Sequence, residues 1–296
     1  MSPVLTELLG GPLYGYWFFY GLGMLVAVWI ASHLALRRNL DFWKVWWMLL
    51  LSVLGAFAGA RIGYILFDPG FVEYGDLSKG GEVSFGGLAG GLLAALIWAF
   101  FRKLPIPDVL DIAAPSIILG EGVQRIGCFC NGCCYGPVAD TSISVRFPKF
   151  LTPSGDIGGT PCFLQQMEAG LVKPWEAESL PVIPMQLIWM AICLSITGIC
   201  LWLFYKNKFR GSLLYLAFVL YGSLRFIVQW FRPNYDLRQE QYAWNMGHTA
   251  CLIMVLLGGS VLLLRWRFGP DWAGFEAARA EKAKMRAMKK EARKKR

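Results

Sequence analysis

Seven apolar runs dominate the chain, near Tyr16–Leu36, Val45–Phe67, Phe85–Phe101, Ile112–Ile126, Met185–Tyr205, Ser212–Phe231 and Thr249–Leu264. A helix needs roughly 20 mostly apolar residues to cross the hydrocarbon of a bilayer. Within that hydrocarbon only helices and closed barrels satisfy their own backbone. The expected fold is therefore an all-α polytopic membrane protein with about seven transmembrane helices. Charged residues make up 17% of the chain, against about 25% in soluble domains, which excludes an ordinary soluble enzyme. The fourth run is the weakest crossing, because Pro115, Glu121 and Arg125 interrupt it. Polar, broken segments persist at membrane depth only where protein or a wet cavity surrounds them, so this segment is expected inside the bundle.

The connecting segments set an orientation. "RRNLDFWK", "FRK" and "KNKFR" follow the first, third and fifth runs, whereas "DPGFVEYGD" follows the second. By the positive-inside rule the N-terminus lies outside and the C-terminus in the cytoplasm. The first run is too long for a signal-peptide core and has no basic start, so it reads as a retained span. Ten of the 29 Lys/Arg but only three of the 20 Asp/Glu fall in 276–296, so most of the net charge of +9 belongs to a tail. The organisation expected is a membrane domain, 1–268, with an external loop or lid at about 127–184, and a basic cytoplasmic tail, 269–296. A basic tail of this kind is attracted to anionic lipid headgroups, and the body gives no reason to expect a nucleic-acid partner.

Glycines recur at helix-packing intervals: Gly55, Gly59 and Gly63 in one run, and Gly86 with Gly90 and Gly87 with Gly91 in the next. Such faces let backbones approach closely in lipid. Trp43, Trp46, Trp47, Trp230, Trp244 and Trp266 stand near run ends, where interfacial anchors collect.

An arginine within a span is costly and is a functional candidate by default. Arg61 and Arg225 lie well inside apolar runs, and Arg125 closes the fourth on its outer side. Glu121 precedes Arg125 by four residues, the favourable acid-to-base order on a helix. Structural ion pairing or snorkelling is the alternative for any single arginine, but three in one bundle point further. Guanidinium forks match phosphate oxygens, and a bilayer supplies phosphate at that depth. Beside Arg125, Cys128, Cys130, Cys133 and Cys134 form C-x-C-x-x-C-C. The run is dense enough for a thiolate metal site or for a disulfide, with Cys162 a further partner. Apolar packing of small thiols is the favoured reading.

"RIGCFCNGCCYG", followed by "SVRFP", resembles the signature region of the bacterial prolipoprotein diacylglyceryl transferase family, an Arg-Ile-Gly-x-Phe-x-Asn-Gly core that ends in a glycine. "YGLG", "GARIGY", "GGEVSFGG", "PVIPMQL" and "YGSLRFIVQWFR" follow the family order around it, over nearly the whole chain up to the tail. The resemblance implies a transferase of the bacterial cytoplasmic (inner) membrane. Such an enzyme moves the diacylglyceryl group of phosphatidylglycerol onto the lipobox cysteine of a preprolipoprotein and releases glycerol phosphate. The partners implied are that lipid, the lipobox segment of the precursor and surrounding membrane lipids; no cofactor is implied. Arg125 and Arg225 match the family's essential arginines and are the catalytic candidates. Arg125, Tyr20, Tyr221, Asn131 and Gly136, together with Arg61, are the substrate-binding candidates, and Glu121 is an ion-pair partner or base.

The chain departs from the family pattern at four places. Phe85 and Ile183 stand where histidines are usual, and Cys128 and Cys133 replace a common Asn and a common Glu. His33 and His248 match no family catalytic position. Removal of the thiol proton is thus left to Glu121, a tyrosine, water or the electrostatics of two arginines. A membrane protein handling metal or redox chemistry through Cys128–Cys134 and a catalytically silent lipid-binding relative are the competing readings.

Overall fold

The computed structural model describes residues 4–8, 11–67, 84–151, 157–231, 246–268 and 285. Among the described residues there are eight helices: α1 (Gly15–Arg37), α2 (Phe42–Phe67), α3 (Ser84–Phe101), α4 (Ile106–Asn131), α5 (Pro161–Glu168), α6 (Met185–Tyr205), α7 (Leu213–Gln229) and α8 (Met246–Phe268). Among the described residues strand is confined to two short antiparallel hairpins. β1 (Val4–Leu8) pairs with β2 (Gly11–Tyr14), and β3 (Lys149–Leu151) with β4 (Ile157–Gly159). Among the described residues four helices, α1, α2, α6 and α8, are long and apolar enough to cross a membrane, and α3 and α7 are shorter apolar helices. Large apolar side chains such as Trp29, Leu66, Phe100 and Leu263 are exposed on the bundle, as expected of surfaces that face lipid rather than water. Trp43, Trp46, Trp47, Trp230 and Trp266 are exposed as well, whereas Trp244 and the basic tail before and after residue 285 lie outside the described residues.

The central element is α4. It packs against α1 and α6 and also touches α3 and α7, and half of its residues are buried. The segment expected to be short, Ile112–Ile126, is in fact a helix of 26 residues. Prolines at 105 and 107 suit a first helical turn, where the missing N–H costs nothing. Two aspartates, which read as loop in the sequence, continue the helix because both are neutralised. Arg210 Nη2 lies 2.8 Å from Asp108 Oδ1, with Arg38 Nε at 3.8 Å. Asp111 accepts from the backbone N–H of Gly211 at 2.6 Å and of Leu213 at 3.1 Å. Its carboxylate therefore caps α7, at the end of a helix that favours negative charge. At the other end, Gly132 has φ 73°, the left-handed conformation that closes helices. Cys133 N–H returns to the Cys128 carbonyl at 3.1 Å.

Glycines seat the neighbouring helices. A methyl group on Gly55 would stand 2.7 Å from the Gly90 carbonyl oxygen, and the backbones of Gly59 and Gly86 meet still more closely. The α2–α3 pair is thus joined backbone to backbone, as the four-residue spacing predicts. Gly23 and Gly120 do the same for α1 against α4.

Basic loops gather at the Asp108 end. Lys44 Nζ reaches the Arg102 carbonyl at 3.4 Å, Arg38 Nη1 donates to Asn207 at 2.7 Å, and Arg265 Nη1 donates to the Gly211 carbonyl at 2.7 Å. Beyond the far end of α4, residues 132–151 and 157–184 supply a second, smaller core; the first residues expected as loop, 127–131, belong to the helix. Val138 and Val145 both bridge Val182, and Tyr135, Phe147, Cys162 and Val182 form a buried second core.

Candidate active site

One side chain organises the centre of the bundle. Glu121, on α4, points its carboxylate between α6 and α7 and receives donors from three residues. Arg125 Nη2, one turn along the same helix, lies 2.6 Å from Oε1. Trp189 Nε1, from α6, donates to the same oxygen at 3.0 Å. The Tyr221 hydroxyl, from α7, lies 2.7 and 2.6 Å from the two oxygens. The Trp189 and Tyr221 rings meet edge to face, centroids 5.1 Å apart. A carboxylate holding this many donors has most of its lone pairs committed. The arrangement fixes the direction of the Arg125 guanidinium.

The two candidate catalytic arginines share one cleft. Arg125 and Arg225 line it together with Cys134, Met185, Gln186, Trp189 and Val228. The Arg225 guanidinium carbon sits 5.1 Å from the centroid of the Trp189 ring, a cation–π distance. Trp189 therefore touches both halves of the arrangement: its N–H holds the carboxylate that fixes Arg125, and its face carries Arg225. Arg125 and Glu121 side chains are 11% and 20% exposed, so the cleft offers two guanidinium groups in a partly dry setting, where charge–charge attraction exceeds its value in water. Such a pair can grip an anion with tetrahedral oxygens and stabilise charge that grows on it.

The remaining candidates are placed around this centre. Tyr221 belongs to it through Glu121. Asn131 is the last, half-buried residue of α4. Gly136 donates its N–H to the Ile183 carbonyl at 2.9 Å, and a methyl group there would stand 2.5 Å from Met185 Cγ; the glycine is required by this approach. Tyr20, on α1, packs 6.2 Å from the Tyr16 ring and 6.4 Å from the Phe57 ring. Arg61, on α2, lies 5.5 Å from the Tyr64 ring. Neither Tyr20 nor Arg61 lines the Arg125–Arg225 cleft. Nor does either histidine: His33 stacks on Trp29, and His248 packs against Phe226 and Trp230.

Sequence reading missed Trp189 and Gln186, which lie in an apolar run and look like packing. The signal available was a glutamine in the first turn of a span. Gln186 is almost fully buried and its Nε2 donates to the Cys133 carbonyl at 2.7 Å, tying the turn after α4 to the start of α6.

No disulfide joins any of the eight cysteines, all of which lie among the described residues. The sulfurs of Cys128, Cys133 and Cys134 lie within 4.8 Å of one another, with Cys130 outside the group. Cys162 is fully buried against Gln166, whose Nε2 is 3.7 Å from its sulfur. Burial pushes its thiol up to about 12, so it stays protonated and inert at neutral pH.

A family model described as prolipoprotein diacylglyceryl transferase matches residues 3–264. The phosphatidylglycerol–prolipoprotein diacylglyceryl transferase of Methylibium petroleiphilum is 31% identical, over 93% of this chain and 97% of that protein. Its namesake in Pseudomonas aeruginosa strain LESB58 is 31% identical over 90% and 95%. The one from Clostridium tetani is 26% identical over 79% and 86%.

Proposed function

The chain belongs to the prolipoprotein diacylglyceryl transferase family, and from that membership we propose that it transfers the diacylglyceryl group of phosphatidylglycerol to the lipobox cysteine of prolipoproteins. The observation that carries the assignment of roles is the cleft that Arg125 and Arg225 line together with Trp189, whose ring face carries Arg225. Both guanidinium groups hold the lipid phosphate. The precursor sulfur attacks the glyceryl carbon that bears the phosphate ester. A carbon–sulfur bond forms as the carbon–oxygen bond breaks, and the electron pair leaves with glycerol phosphate. The thiol proton ends on that departing phosphate monoester, so the reaction balances without a dedicated protein base. This fits a chain with Phe85 and Ile183 where the family usually has histidines.

Arg125 and Arg225 are thus the catalytic residues, stabilising charge as it develops on the leaving oxygen. Glu121, Trp189 and Tyr221 are positioning residues, since they act through the arginines. Tyr20, Arg61, Asn131 and Gly136 shape the surroundings in which lipid and precursor sit.

The protein is a multi-pass membrane protein, and the finer topology is part of the proposal: seven spans, N-terminus outside, in the cytoplasmic (inner) membrane. Two features support it. Basic residues from the loops after α1, α3 and α6 converge on the Asp108 end of α4. Glu121 lies 13 residues further on, roughly 20 Å along the helix at 1.5 Å per residue, towards the opposite face. The cleft then opens near the outer leaflet, with residues 132–184 as an external lid, on the side where a translocated precursor presents its cysteine. Purified protein given phosphatidylglycerol and a lipobox peptide should yield a thioether-linked diacylglycerol adduct by mass spectrometry. A peptide left unmodified by well-folded protein would refute the assignment.

A further inference from the structure

The three-sulfur group at the end of α4 is built by an unusual turn. Gly132 and Cys134 both lie in the left-handed region, with φ 73° and 59°. For a residue with a side chain that conformation is uncommon. The turn is anchored by Gln186 on the Cys133 carbonyl, and it brings Cys133 and Cys134 back beside Cys128. All three sulfurs fall within 4.8 Å of one another. Cys128 is buried, and Cys134 lines the cleft beside Arg125 and Arg225.

We propose that Cys128, Cys133 and Cys134 form a three-thiolate site for a soft monovalent d10 cation, copper(I), and that its occupation suppresses transfer. The geometry fits: a metal–sulfur bond of about 2.3 Å places three trigonal sulfurs about 4.0 Å apart. Ligand chemistry favours copper(I) over zinc. Thiolates select soft ions, and a structural zinc site takes four protein ligands, whereas this group supplies three. On binding, three S–H bonds are replaced by three sulfur–metal bonds, three protons pass to solvent, and no electron is transferred.

The second half rests on the proposed function. Arg125 Nη1 already lies 3.9 Å from the Cys128 sulfur. Three thiolates around one monovalent ion carry a net double negative charge, which draws that guanidinium away from a lipid phosphate and repels the phosphate itself.

The test uses the full chain in detergent, reduced, with its free thiols counted before copper(I) is added against bicinchoninate as a competing chelator. Wild type should take up one copper per chain with an ultraviolet sulfur-to-copper band. Affinity should fall about 100-fold or more in Cys128→Ser and in Cys133→Ser, and stay unchanged in Cys130→Ser. No uptake by wild type, or equal uptake by the Cys128→Ser/Cys133→Ser/Cys134→Ser variant, would overturn the site. So would a wild-type protein whose three thiols cannot be kept reduced. Transfer is then measured with and without copper, each protein against its own metal-free rate. Loading should slow wild type by about tenfold or more and leave the Cys133→Ser ratio near one. Copper bound by wild type with no change in rate would overturn the suppression alone. Absence of any transfer would overturn the family-based function while the uptake measurements still decide the site.

Discussion

The indole N–H of Trp189 lies 3.0 Å from the Glu121 oxygen that Arg125 also holds, while the ring face of the same tryptophan carries Arg225 5.1 Å from its centroid. Through one aromatic side chain on α6, a guanidinium on α4 and another on α7 are given a common reference. Three helices thereby set the separation of two positive charges, and this arrangement makes the consequences of individual substitutions distinguishable.

Arg125→Ala and Arg225→Ala should each lower the transfer rate by about 10²–10³, the usual cost of losing one preorganised donor to developing charge. Single-turnover assays in membranes with matched protein levels check this. Near-normal rates in either variant would remove that arginine from the reaction.

Glu121→Gln keeps the shape of the carboxylate and removes its charge. As a positioning residue its loss should slow transfer while leaving the shape of the rate-versus-pH curve unchanged between acid and neutral pH. If the acid limb of that curve vanished in the variant, Glu121 would instead be the group that accepts the proton.

Trp189→Phe retains an aromatic face and loses the N–H. Hydrogen bonds to charged groups contribute about 1.5–3 kcal/mol, so a loss of about tenfold or more in transfer is expected, with binding of phosphatidylglycerol less affected. Comparing kcat with KM for the lipid separates the two.

At the opposite end of α4, Asp108→Ala leaves Arg210 buried without its 2.8 Å partner. Breaking a buried pair typically costs about 3–5 kcal/mol. Thermal unfolding in detergent should shift down clearly, while the rate per folded molecule is kept. A rate loss without a stability loss would mean that this end of the helix takes part in the chemistry.

Gly55→Val places a side chain where the Gly90 carbonyl oxygen would stand 2.7 Å from its Cβ, and overpacking typically costs about 1–3 kcal/mol. Gly198→Ala on α6, where nothing lies within 4 Å, is the matched control and should be neutral or stabilising. Equal melting temperatures for both variants would contradict the close α2–α3 seam.

Much of this was open to reading in the sequence, because membrane helices announce themselves by length and hydropathy. All seven apolar runs are helical, the glycine spacing marks the α2–α3 seam, and the four-residue interval between Glu121 and Arg125 predicts their ion pair. What stayed hidden depends on partners remote in sequence. Asp108 and Asp111 look like loop residues until Arg210, Arg38 and the start of α7 are seen against them. Trp189 is one apolar letter among many until its N–H is found on Glu121. Tyr20 and Arg61 stand in family motifs of their own, and neither lines the cleft of Arg125 and Arg225. The two family-discordant cysteines read as small packing residues because no spacing rule reveals the left-handed turn at Cys134.

The long helix α4 is held at both extremities, by Asp108 and Asp111 on one side and by the Gly132 closure against Thr160 and Phe147 on the other. A helix held at both ends resists sliding along its axis, and the buried Pro115, where the backbone hydrogen-bond ladder is interrupted, is the place where it would bend most readily. Any widening of the Arg125–Arg225 cleft should then come from α6 and α7, which contribute Trp189 and Arg225, rather than from a shift of α4.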